Sequence, residues 1–169
     1  MPHRFDPTIL REYDIRGIVG ATLFVADAHA LGRVFAQTVA AAGGRRVAVG
    51  YDGRLTSPEL EAALVEGLAE GGADVVRIGR GPTPMLYYAA ATLRVDGGVM
   101  VTGSHNPPDH NGFKIVLGGK PFFAEAIQGL ASRIGALEQA VAKLSGGDAE
   151  TAAEVRPLRP VRGPNPAGG

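Results

Sequence analysis

The residues best suited to chemistry lie in a polar loop, residues 102–108, that directly follows the apolar run at residues 98–101. A glycine-containing loop after a strand is where α/β proteins expose a reactive side chain or cradle a phosphate. We therefore predict that Ser104 is presented at the end of a strand. His105 lies beside it, and Lys114 follows ten residues later.

The other loop residues suit this presentation. Gly103 leaves the backbone before the serine unobstructed, and Asn106 tolerates the left-handed region of backbone space. Pro107 and Pro108 prevent a helix from following directly. Gly, Ser, Asn and Pro are also the residues of ordinary surface turns, so a turn without chemistry remains an alternative on spacing alone.

A serine hydroxyl is a weak nucleophile unless a base or a metal activates it. A hydrolase triad fits poorly, because adjacent loop residues such as Ser104 and His105 seldom aim at each other and no acid is placed to orient the histidine. Phosphoryl transfer fits better, since it needs positioning and positive charge around a dianionic group. Four residues can supply that charge: Arg16, Arg54, His105 and Lys114.

Three motifs carry a resemblance to a known family. They are Thr-Gly-Ser-His-Asn-Pro at residues 102–107 with Asn-Gly-Phe-Lys at 111–114, Glu-Tyr-Asp-Ile-Arg-Gly at 12–17, and Tyr-Asp-Gly-Arg-Leu-Thr-Ser-Pro at 51–58. In order and spacing they resemble the first domain of the α-D-phosphohexomutases, in the phosphomannomutase/phosphoglucomutase branch. The resemblance covers roughly residues 9 to 140, which is one domain of sequence.

The resemblance implies a role for each candidate residue. Ser104 corresponds to the family's phosphoserine, which exchanges a phosphoryl group with a hexose monophosphate through a bisphosphate intermediate and gives one phosphate oxygen to Mg²⁺. Lys114 resembles the proposed proton-transfer residue, and Arg16 and His105 resemble residues that line the same site. The resemblance also implies substrate-binding roles for Tyr13, Arg54 and Asn106. For Tyr13 and Arg16, and for the charged stretch Arg11 to Asp14 beside them, the residues alone favour a charged, solvated face of an edge strand. Arg54 could equally shape the turn at Asp52.

The family's full enzymes have three further domains, and no Asp-x-Asp-x-Asp metal loop like that of their second domain occurs in this sequence. One phosphoserine oxygen will not hold Mg²⁺ tightly. We therefore expect this polypeptide alone to be inactive, as one domain or a truncated gene product, with the remaining mutase domains as its partners. The substrate would be mannose or glucose phosphate. Two alternatives stay open: a non-catalytic phosphosugar-binding module and a partner-docking domain.

The elements that must position these residues alternate between strand and helix. Short apolar strands at 47–51, 74–78 and 97–101 are separated by helices with apolar residues three and four apart, which predicts a βαβαβ core. Residues 113–117 predict an antiparallel strand, and a C-terminal helix with apolar residues at the same spacing follows. Asp27 is predicted to cap the first helix, and Ser57 is predicted to precede the second. We predict an α/β fold, a three-layer α/β/α sandwich with a mostly parallel mixed sheet. The domain spans residues 1–144, and 145–169 form a Gly/Pro-rich linker or frayed tail.

Composition limits the class of protein. The chain has 169 residues, 17 basic and 17 acidic side chains and no cysteine. A neutral chain argues against a dedicated nucleic-acid or membrane surface, and the absence of cysteine excludes disulfides and thiolate chemistry. The N-terminus lacks the apolar core of a signal peptide, and no apolar run approaches the length of a membrane span, so we predict a cytoplasmic location.

Overall fold

The computed structural model describes residues 3–122 and 124–151. A short 3₁₀ turn, Pro7–Ile9, precedes the first strand. The strands and helices follow in chain order: β1 (Ile15–Ile18), α1 (Val25–Ala41), β2 (Arg46–Tyr51), α2 (Ser57–Glu70), β3 (Asp74–Arg80), α3 (Pro84–Thr92), β4 (Gly97–Val101), β5 (His110–Leu117), β6 (Lys120–Pro121) and α4 (Ala124–Thr151). The βαβαβ core predicted from the sequence is confirmed in β2 to β4.

The sheet is mixed, as predicted, with strand order β1-β5-β4-β2-β3 and the short β6 paired to β5. Its parallel pairings are β2 with β3 and β2 with β4. Strand β5 runs antiparallel to both of its long neighbours, β1 and β4, which confirms the antiparallel strand predicted at residues 113–117. Strand β1 is an edge strand, so its backbone is paired on one side only.

The helices cover the sheet unequally. Helices α1, α2 and α4 pack on one face around a large apolar core that includes Phe35, Leu64 and Ile134, all fully buried or nearly so. Helix α3 packs on the opposite face, where Leu86 and Met100 form a smaller core. Successive residues of the central strands face the two layers alternately, as Val99 and Met100 do, so both faces bury apolar surface. The three-layer α/β/α sandwich is therefore confirmed.

Two helix starts differ from the sequence prediction. Asp27 was predicted to cap α1, but the N-cap is Phe24, and Asp27 lies in the first turn, where its carboxylate accepts a hydrogen bond from the Phe24 N–H at 2.7 Å. Ser57 was predicted to precede α2, but the N-cap is Thr56 and Ser57 is the first helical residue. An acidic side chain in the first turn can satisfy an exposed N–H as well as a cap residue can.

Helices α1 and α2 approach each other closely. A Cβ on Gly67 would overlap the backbone carbonyl oxygen of His29, so glycine is needed at this contact. Helix α4 carries the predicted apolar stripe through the buried Ile127 and Leu130 and extends to Thr151, seven residues beyond the predicted boundary at 144. The rest of the predicted tail, 152–169, lies outside the described residues, and the boundary stays a prediction. Within the described part of the chain, no helix has the length and apolarity that crossing a membrane requires.

Candidate active site

Loops that follow β2, β3 and β4 meet at one edge of the sheet. They line a cleft of about 540 Å³ together with one residue of β5. Its walls include Pro82, Tyr87, Ser104, His105 and Lys114. A second cleft of about 620 Å³ is lined by Arg54, Ser104 and Asn106 among others. Ser104 therefore borders both clefts, and the first one brings it together with Lys114 and His105.

The backbone of Ser104 is strained. Its φ angle is 50°, the one positive φ of a non-glycine among the described residues. The sequence suggested Asn106 for this conformation, and the structure gives it to the serine instead. A left-handed residue with a Cβ costs on the order of 1–2 kcal/mol, so the surrounding contacts must hold it in place. Such strain clusters at functional sites.

Asp52 at the end of β2 is the first of these contacts. Its Oδ2 accepts hydrogen bonds from the Thr102 hydroxyl at 3.0 Å and from the Gly103 N–H at 2.9 Å. Its Oδ1 accepts from the Ser57 hydroxyl and from the Arg54 N–H. The Thr102 hydroxyl oxygen in turn accepts from the Ser104 N–H at 3.0 Å. One carboxylate thus ties the end of β2 and the start of α2 to the backbone that leads into the serine.

Arg54 holds the same loop from its outer side. Its guanidinium donates hydrogen bonds to the carbonyl oxygens of four residues of the loop and its following strand: Ser104, Asn106, Pro107 and His110. A Cβ on Gly103 would overlap this guanidinium, which explains the glycine before the serine. The side chain is 17% exposed. These contacts favour the alternative in which Arg54 shapes the loop, whereas its substrate-binding role stays a prediction.

Three charged residues cluster on the α3 side of the sheet, at β1 and β5. The Lys114 Nζ donates to Asp14 Oδ2 at 3.1 Å, and the Arg16 Nη2 donates to Asp14 Oδ1 at 3.2 Å. The Arg16 Nη1 also donates to Asn106 Oδ1 at 2.8 Å, which joins the first strand to the serine loop. The Arg16 Nε is buried and has no hydrogen-bond partner in the structure. Arg16, Lys114 and Asn106 are therefore brought together, as the resemblance implied.

Two predicted site residues, Arg16 and Tyr13, line neither cleft beside Ser104, although Arg16 contacts the serine loop through Asn106. Tyr13 is 63% exposed. A hydrogen bond to Glu12 and the negative charge of that residue raise the pKa of Tyr13. Its assignment to the sugar site stays a prediction.

Sequence reasoning missed four residues that build the site. Asp14 was interpreted as part of a solvated charged stretch, but it is only 8% exposed. Asp52 and Thr102 were noted as loop residues without a role. Asn111, fully buried, donates from its side-chain amide to the hydroxyl oxygens of Thr56 and Ser57 and so anchors β5 to α2. Asn111 and Asp52 both lie within the motifs quoted from the sequence, at residues 111–114 and 51–58. Their place in those motifs is the sequence signal that could have identified them as site residues.

The described residues do not fit Mg²⁺ as a complete set of ligands. Among them, no group of three or more His, Cys, Asp or Glu side chains is placed to hold a metal ion. Both oxygens of Asp52 already accept hydrogen bonds from the loop, and both oxygens of Asp14 accept from cations. A phosphoryl group on Ser104 would add one hard oxygen ligand, which is fewer than the ion requires.

The hydrogen bonds to Asp52 predict a dependence of stability on pH. Burial pushes the pKa of Asp52 up, but the four hydrogen bonds that it accepts outweigh burial and lower the pKa below its ordinary value of 3.8. The folded state therefore gains stability that is fully present above the unfolded pKa and is lost as the pH falls through the lower, folded pKa. Urea unfolding of wild type and Asp52→Asn should show a wild-type advantage at neutral pH that shrinks in acid. An advantage that persists unchanged in strong acid would contradict this.

Comparison with known proteins places this geometry in context. The profile described as "Phosphoglucomutase/phosphomannomutase, alpha/beta/alpha domain I" matches residues 7–141. The chain is 52% identical over 127 residues to a phosphomannomutase/phosphoglucomutase of Pseudomonas aeruginosa, covering 75% of this chain and 27% of that protein. It is 51% identical over 122 residues to a phosphoglucomutase of Neisseria gonorrhoeae, covering 72% and 26%. The solved structure of a phosphoglucomutase/phosphomannomutase family protein from Burkholderia thailandensis superposes with a TM-score of 0.74 at 48% identity, covering 77% of this chain and 30% of that one. The chain thus spans little more than a quarter of its relatives' length.

Proposed function

The chain belongs to the phosphoglucomutase/phosphomannomutase family of α-D-phosphohexomutases, and from this we propose that it is the catalytic-serine domain of a mutase acting on hexose phosphates. The proposed reaction interconverts hexose 6-phosphate and hexose 1-phosphate. The observation that carries the proposal is that the strained Ser104 lines a cleft together with Lys114 and His105. Substrates with a mannose or glucose ring agree with the names of the relatives.

The proposed chemistry uses the serine as a phosphoryl carrier. A sugar hydroxyl oxygen forms a bond to the phosphorus of phosphorylated Ser104, while the bond between phosphorus and Ser104 Oγ breaks. The hydroxyl gives its proton to solvent water, and the serine oxygen gains one. We assign the proton delivered to the serine oxygen to the Lys114 ammonium, which lines the same cleft. After the bisphosphate turns around, the reverse steps return the other phosphoryl group to Ser104.

The cations of this chain stabilise the charge on the transferring group. Phosphoryl transfer depends mostly on positioning and on electrostatic stabilisation of the equatorial oxygens. Lys114 and His105 face the cleft, and Arg16 reaches the loop through Asn106. A phosphoserine oxygen would be one Mg²⁺ ligand. We propose that the other ligands, the sugar-recognition groups and the turnover itself belong to a longer protein, called the full-length protein below, and that the 169 residues alone do not turn over.

Phosphoryl uptake tests this function. The 169-residue chain and the full-length protein are incubated with a hexose 1,6-bisphosphate and Mg²⁺, and the intact mass is measured, followed by peptide mapping. We expect the full-length protein to gain one phosphoryl group on Ser104 and the Ser104→Ala variant to gain none. A phosphoryl group that maps to another residue would refute the proposal. A non-catalytic binding module would instead take up hexose monophosphate by itself in calorimetry and gain no mass.

A further inference from the structure

A buried carboxylate that the proposed chemistry does not use lies between two of its cations. Asp14 has a side chain that is 10% exposed and gives one oxygen to each cation. Its Oδ1 accepts from Arg16 and its Oδ2 accepts from Lys114. Because the two contacts use different oxygens, both can exist at the same time.

The sheet explains why an anion is needed here. Arg16 on β1 lies opposite Gly112 on β5, and Lys114 follows two residues later on β5. Residues two apart on a strand point to the same face, so both cations project from one face of neighbouring strands. Two like charges at this spacing repel each other, and a lysine ammonium on a flexible stem would turn toward solvent.

We propose that Asp14 is a positioning residue that holds the Lys114 ammonium in the Ser104 cleft and the Arg16 guanidinium against the serine loop. The inference rests on the proposed function of Ser104 and Lys114. Arg16 extends the effect of Asp14 to the loop, because it also donates to Asn106, whose side-chain amide donates to the Gly103 carbonyl oxygen at 2.7 Å. One carboxylate therefore acts on both the proton-transfer residue and the backbone before the serine.

The test is a cycle of variants in the full-length protein, read as kcat and KM. Asp14→Asn removes the charge at nearly constant shape, and we expect kcat to fall by about 100-fold with KM little changed, since a displaced group slows the chemical step. Lys114→Met should cost about 10²–10⁴-fold in kcat, the range of a lost general acid. Because Asp14 acts in part through Lys114, adding Asp14→Asn to Lys114→Met should lower kcat by much less than the about 100-fold that Asp14→Asn costs alone, and the remaining loss is the part carried by Arg16. Effects that multiply would overturn the proposal.

Two further variants separate positioning from folding. Asp14→Glu keeps a carboxylate and should recover a substantial part of the kcat lost in Asp14→Asn. Asp109→Asn is the matched control, because it removes a carboxylate that is 61% exposed and bonded to His110 rather than to Lys114. We expect its kcat to equal that of wild type. A failure of Asp14→Glu to recover any activity, in a variant that melts like wild type, would contradict a positioning role.

A measurement on the unaltered chain covers the case in which Asp14→Asn does not fold. A lysine ammonium held by a buried carboxylate exchanges its protons with water more slowly than a free one, and a ¹H–¹⁵N correlation signal of the ammonium group reports this protection. The Lys114 signal is assigned by its absence in Lys114→Arg. We expect a protected signal, and its absence would overturn the proposal. Different outcomes would refute the proposed function and the role of Asp14. Full turnover of Lys114→Met or Ser104→Ala would refute the proposed function. Wild-type turnover of Asp14→Asn, with a slow Lys114→Met, would refute only the role of Asp14.

Discussion

Replacing Ser104 by alanine should abolish turnover of hexose phosphates by the full-length protein, with kcat lower by at least about 10⁴-fold. The reason is that the phosphoryl group would have no oxygen on the enzyme from which to leave or to which to return. Lys114, Arg16 and the clefts would remain, so substrate binding should change far less than kcat. Steady-state kinetics with glucose 1-phosphate and mannose 1-phosphate measure both quantities.

The control for this variant is Ser132→Ala. Ser132 lies on α4, is exposed, and donates only along its own helix to the Gln128 carbonyl oxygen. It should retain wild-type kcat. Ser104→Gly adds a test of strain: activity should be lost, while the free energy of unfolding should not fall and could rise by up to about 1 kcal/mol, because glycine adopts a φ of 50° without penalty. Undiminished turnover by Ser104→Ala would refute the proposed function.

Replacing Arg54 by lysine should lower kcat on the order of 10²–10³-fold and leave KM nearly unchanged. Lysine keeps the positive charge but cannot donate to four carbonyl oxygens at once, since its ammonium is a compact point charge rather than a planar fork. The loop around Ser104 would lose its outer support, and the free energy of unfolding should fall by about 2–4 kcal/mol. Urea unfolding and steady-state kinetics measure the two effects.

The same variant decides between the two roles considered for Arg54. If the guanidinium bound substrate, lysine would retain part of the binding, KM would rise, and the stability of the free protein would hardly change. Arg45→Lys is the matched control, because Arg45 is 71% exposed and pairs with Asp74 at the surface. Its stability should change by less than about 0.5 kcal/mol. A raised KM with unchanged stability would contradict the loop-holding role of Arg54.

The fold was largely predictable because its signals are local. The strands β2 and β4 are short apolar runs bounded by glycines, and α2 carries leucines at helical spacing, so type and order follow from nearby residues. The helix starts were less predictable, since Asp27 and Ser57 can satisfy backbone groups from several positions. In the structure the Ser57 hydroxyl donates a hydrogen bond to Asp52 and does not cap α2.

The candidate site was predictable only in part, because many of the contacts that build it are not local in sequence. The motif around Ser104 indicated the reactive residue, but the contacts that hold it join distant parts of the chain. Arg54 reaches the loop across about 50 residues, and Asp14 reaches Lys114 across 100. Nothing in the stretch Arg11 to Asp14 distinguishes a solvated carboxylate from a buried one. That distinction depends on β1 docking beside β5, which local sequence does not encode.

The position of β1 at the edge of the sheet also bears on the order of folding. Its partner β5 follows almost a hundred residues later, so during synthesis the first strand leaves the ribosome long before the strand that it pairs with. Closing that loop costs somewhat more entropy than closing the loop between β2 and β4, whose paired residues Val47 and Gly97 are 50 residues apart. The support of the serine loop by Asp52 can therefore form while the charged cluster of Asp14 and Lys114 is still open. We therefore expect the anion-binding charges to assemble last, so that a nascent chain carries the serine loop before it can stabilise a phosphoryl group.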